Sequence, residues 1–61
     1  MSKALLVEKA ARLAEASAIA AIEAASLSRL GYAGEAEAIE SRALRLDSMA
    51  ADYRRAARLA H

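Results

Sequence analysis

Apolar positions along the first half of the chain recur at alternating intervals of four and three: Leu6, Ala10, Leu13, Ala20, Ala24 and Leu27, with Ser17 as the one polar member. A repeat of about 3.5 residues marks the face of one helix that packs along another. Carried past Leu30, the same register lands on Gly34, Ala38, Ser41, Arg45, Ser48, Asp52 and Arg55, a line too polar to bury. Restarted after Gly34, it reads Ala36, Ile39, Ala43, Leu46, Ala50, Tyr53, Ala57 and Ala60, apolar throughout. The phase break at Gly31-Tyr32-Ala33-Gly34 therefore predicts two helices, about 3–30 and 35–60, doubled back on each other. The expected fold is all-α: an antiparallel two-helix hairpin forming a single domain over residues 1–61.

Local signals agree with that division. Ser2 is placed to cap the first helix. Gly31 suits the left-handed position just past its end, which would bring Tyr32 against Leu27 in a Schellman motif. Gly34 is the expected N-cap of the second helix, with Glu35 and Glu37 near its positive end and Arg54, Arg55 and Arg58 near its negative one. Nineteen of the 61 residues are alanine, proline is absent, and the only two glycines sit at the break. Such a composition favours helix throughout.

Size then bears on assembly. Two helices side by side share a single contact line, and chains this short gain only about 3–5 kcal/mol from a lone core. Self-association is the expected remedy, with a homodimeric four-helix bundle as the form and another helical protein as a further possible partner. Leu6, Leu13, Leu27, Ile39, Leu46 and Tyr53 are the candidate self-association core. In the second helix these large residues alternate with Ala36, Ala43, Ala50 and Ala57, the small-against-large layering by which antiparallel bundles interdigitate. Leu44, Met49 and Leu59 fall outside that seam and would widen the buried face if two hairpins packed together. Ile19, Ile22 and Leu30 stand among the charges of the first helix and are candidates for a second interface.

The formal net charge is +1, too small for a global attraction to nucleic acid or anionic lipid. Its distribution is more telling. Folding the hairpin gathers Lys3, Lys9, Arg12, Arg54, Arg55 and Arg58 at the open end, and Glu23, Glu35, Glu37 and Glu40 near the turn. An antiparallel dimer would set each basic end against an acidic turn. The alternative reading is a small nucleic-acid-binding regulator that uses those six cations on phosphates.

Catalytic chemistry finds little support. Cysteine is absent and the only histidine is His61, so no thiolate or internal histidine can bind a metal, and no metal or cofactor is expected. Ser17 has no histidine or lysine placed to activate it; a hydroxyl bonded back to the carbonyl four residues earlier is the simpler expectation. The chain is expected to be non-enzymatic. No uncharged run approaches the roughly 20 residues that cross a bilayer, and a cytoplasmic protein without membrane contact is expected.

Two resemblances of layout accompany this reading. Leu30-Gly31, Glu35-Ala36 and Ala43-Leu44-Arg45-Leu46-Asp47 resemble the middle of a tetratricopeptide repeat over about 18 residues, without its aromatic positions, closing proline or recurrence. In length, turn position and small/large layering the chain is similar to the plasmid copy-control family of RNA-binding helical-hairpin dimers, which implies the nucleic-acid alternative. The same regularity also fits a designed sequence with no biological role.

Overall fold

The computed structural model describes residues 1–60; His61 lies outside them. Two helices of 27 residues each, α1 (Lys3–Arg29) and α2 (Ala33–Leu59), pack side by side along their length. The Cα frame is a lath of 48 × 13 × 12 Å. Among the described residues no helix is long and apolar enough to cross a membrane.

Helix α1 begins where expected. Ser2 is extended, at φ −69° and ψ 154°, and its Oγ accepts a hydrogen bond from the Leu5 amide at 3.2 Å. That bond satisfies one of the amides that a helix start leaves without an internal partner. At the other end Gly31 adopts φ +92°, a backbone conformation that side chains resist. The Tyr32 amide donates to the Leu27 carbonyl at 2.9 Å and the Gly31 amide to the Ser28 carbonyl at 3.1 Å. These are the two bonds of the Schellman motif, on the residues the sequence indicated.

The second helix starts earlier than expected. Gly34 is not its N-cap: Tyr32 is, without a side-chain hydrogen bond, and Gly34 falls inside the first turn. The reason is geometric. The Schellman bonds already turn the chain at Gly31, so the Tyr32 carbonyl is free to accept from the Ala36 amide at 2.9 Å, and the helix begins at Ala33. Glu35 stays in the first turn and Arg58 in the last, as the macrodipole favours. Only Leu30, Gly31 and Tyr32 lie between the helices, so the hairpin closes by the shortest route.

The core is a line rather than a volume. Buried residues are Leu6, Ala10, Ser17, Ala20 and Ala24 from α1 with Ala36, Ala43, Ala50 and Ala57 from α2. All belong to the seam read from the sequence. Seven are alanine, one is serine and one is leucine, so the helices meet almost backbone to backbone.

Candidate self-association surface

The seam consists of two parallel stripes. The small stripe runs Ala10, Ser17 and Ala24 on α1 and Ala36, Ala43, Ala50 and Ala57 on α2, all buried, with Ala50 wholly inaccessible. Beside it lies the large stripe: Leu6, Leu13, Ala20 and Leu27 on α1, then Ile39, Leu46 and Tyr53 on α2 with its C-cap Ala60. Of these only Leu6 and Ala20 are buried, and the others are half-buried. Small side chains every seventh residue let the backbones close on the small stripe. The large residues are thereby displaced to one edge of the contact, where a neighbouring helix covers one flank and nothing covers the other.

Ser17 shows how close the approach is. Its Oγ donates to the Ala43 carbonyl oxygen of α2 at 2.9 Å. The expected bond back to Leu13 is not the one formed, because the opposite backbone stands within reach of the hydroxyl. No buried side-chain nitrogen or oxygen among the described residues lacks a partner.

The hairpin thus has two broad faces of different character. One carries the large stripe and its flank. Lys9, Arg12, Leu13, Met49 and Tyr53 line one groove there, and Ala16, Ile19, Ala20, Glu23, Arg42 and Leu46 line the next. The other face is built mainly of small side chains, and is smooth in that sense. Its grooves are lined by Val7, Ala10, Ala11 and Ala57 with Lys3, Arg54 and Arg58 at the open end, and by alanines with Ser28, Glu37 and Glu40 near the turn. The grooves measure 210 to 340 Å³ and are open along the surface; they are troughs between helices, not enclosed ligand sites.

Five of the six candidate core residues, Leu13, Leu27, Ile39, Leu46 and Tyr53, therefore remain partly open on one face, and only Leu6 is buried. The second-interface candidates do not converge. Ile19 joins the same face beside Leu46. Ile22 lies about 60° farther round the helix, and Leu30 caps α1 at the turn; both are more than two-thirds exposed. Met49, left off the list of core candidates by the seam count, lines the groove with Leu13 and Tyr53. Its position one turn from Tyr53 was the available signal.

The six cations of the open end are divided. Lys3, Arg54 and Arg58 share the smooth face, while Lys9 and Arg12 lie on the other. Arg12 is paired with Glu8 at 2.6 Å, the i,i+4 pair the sequence allows, and Arg55 with Asp52 at 3.2 Å. Both pairs are solvent-exposed and contribute about 0.3–0.5 kcal/mol each. No group of three acidic, histidine or cysteine side chains among the described residues is arranged to hold a metal ion.

The accessible surface gives the same picture as a magnitude. The chain exposes 4458 Å². A compact monomer of this mass exposes about 3,800 Å² by the general scaling of surface with size. The excess, roughly 650 Å², is the surface of a lath 48 × 13 × 12 Å across, with no third layer over the contact between its two helices. Compared with known proteins, the chain matches no family model, no curated protein and no solved structure. Its functional reading rests on these surfaces.

Proposed function

We propose that the chain is a non-enzymatic, self-associating helical hairpin whose homodimer is a four-helix bundle serving as a structural or adaptor module. The observation that carries this reading is the half-open large stripe. Leu13, Leu27, Ile39, Leu46 and Tyr53 line up on one face, and among the described residues no large side chain is fully enclosed. Burying such a face removes apolar surface from water at about 25 cal/mol per Å², and a second copy supplies a matching surface. Cytoplasm is the compartment we assign to it. Sedimentation equilibrium across micromolar concentrations tests the assembly. The expected mass is twice the 6.4 kDa of the chain; a mass that stays at the single-chain value would overturn it.

The second reading is a nucleic-acid regulator, favoured by the groove at the open end where Lys3, Arg54 and Arg58 come together. Phosphate contacts of that kind weaken steeply as salt rises. Titrating a short RNA duplex at about 50 mM salt decides it: absence of binding there removes this reading and leaves the first untouched.

A further inference from the structure

We infer, building on the self-association reading, that the second copy sits on the face carrying Leu46 and is turned end for end, with the two-fold axis passing beside Ala16 and Leu46. Three features of that face converge on this axis.

The first is electrostatic. Lys9 and Glu23 lie seven residues before and seven after Ala16 on α1, about 10.5 Å to either side along the helix. Both border the grooves of this face. A half-turn at the level of Ala16 therefore carries Lys9 of each copy onto Glu23 of the other, giving two charge pairs per dimer. Stacking without the end-for-end turn would instead gather Lys9 and Arg12 of both copies at one end and their Glu23 side chains at the other, which like-charge repulsion disfavours.

The second feature is apolar. Ile39 and Tyr53 flank Leu46 at the same seven-residue spacing on α2. The same half-turn sets Ile39 of one copy against Tyr53 of the other and Leu46 against itself, so large side chains meet large side chains along α2. The third is the level of the two centres. Symmetry about Ala16 and symmetry about Leu46 are separate properties of two helices, and one axis serves both only if the hairpin holds these residues abreast. It does: the Ser17 hydroxyl meets the Ala43 carbonyl, and Ala16 lies one residue before Ser17 while Leu46 lies three after Ala43 on the antiparallel helix. The two therefore fall on the same side of that bond, within about 3 Å of each other along the axes, and both line one groove. The smooth face, by contrast, offers mostly methyl groups between its charged ends.

Area is sufficient. A face 48 Å long and two helix diameters, about 20 Å, wide presents about 960 Å², against about 800 Å² per partner in a stable complex.

The chain has no cysteine, so single-cysteine variants read out proximity directly. Ala16→Cys is expected to form a disulfide-linked dimer under mild oxidation, and Ala18→Cys, on the smooth face, to do so at least about tenfold more slowly, since a disulfide needs Cβ atoms about 4 Å apart. Charge reversal supplies an independent reading that leaves the hairpin contact alone. Lys9→Glu or Glu23→Lys alone is expected to weaken dimerisation about five- to tenfold, and the two together to restore it to within about twofold. Dimeric mass with cross-linking at Ala18 rather than Ala16, or with no rescue in the double variant, would overturn this geometry while leaving self-association standing. Monomeric mass for the unaltered chain would remove the underlying reading itself.

Discussion

The two stripes of the seam have nearly the same hydrophobic pattern and opposite fates. Ala36, Ala43, Ala50 and Ala57 are sealed, while Ile39, Leu46 and Tyr53, three residues farther along the same helix in each repeat, stay half-open. A ranking by side-chain hydrophobicity would reverse that order. What decides it is distance. Methyl side chains let two backbones approach until they fill the space between the axes, and bulkier neighbours are then squeezed to the rim. In this molecule small residues make the contact between the helices, and large residues are left half-open at its edge.

That division of labour is breakable by substitution, and the largest effect should come from the sealed stripe. Ala50→Leu adds volume where there is none to spare. It is expected to cost about 3 kcal/mol or more and to unfold most of the chain, as followed by urea denaturation with circular dichroism. Leu46→Ala, one turn away on the rim, should cost about 1–2 kcal/mol in dilute solution, and on the proposed self-association its cost should grow with protein concentration. Equal and concentration-independent effects at the two positions would erase the distinction between the stripes.

The stripes face each other because the turn sets their phase, which the two glycines test in opposite directions. Gly31→Ala forces a side chain into φ +92° and is expected to lower stability by about 1–2 kcal/mol. Gly34 has ordinary helical geometry and open space around a built Cβ, so Gly34→Ala should raise stability by about 0.5–1 kcal/mol. Thermal melts of the two variants, measured at one concentration, should bracket the unaltered chain.

The smallest loss of stability is expected at Ser17. Its hydroxyl is removed by Ser17→Ala with little change in volume, and the Ala43 carbonyl keeps its own place in the helix ladder. The loss should be about 0.5–1 kcal/mol, read from the shift of the urea midpoint.

Much of this was legible in the chain because a heptad can be counted. The phase break located the turn, and Leu27, Gly31 and Tyr32 stood at the spacing a Schellman motif requires. The nine buried residues among those described all lie on the counted seam. What counting could not reach was depth within it. Leu46 and Ala50 both satisfy the apolar period, and which of them lies innermost depends on how close the helices come, a property of two surfaces rather than of one segment. Gly34 misled for a similar reason: glycine is an acceptable N-cap, but the backbone bonds at Gly31 had already oriented the chain, and Ala33 was free to begin the helix. Ser17 was visible as a polar residue in an apolar line, yet its acceptor belongs to the other helix and shows only once the axes are brought together.

The Ser17–Ala43 bond has one more consequence. Rolling each helix by about 50° about its own axis would carry the leucines inward and the alanines out, an alternative core offered by the same heptads. In that arrangement the Ser17 hydroxyl would move outward with the alanines and lose the opposite carbonyl. The bond exists only in the alanine-inward register, and by its own modest worth it favours the arrangement that leaves the leucine edge half-open.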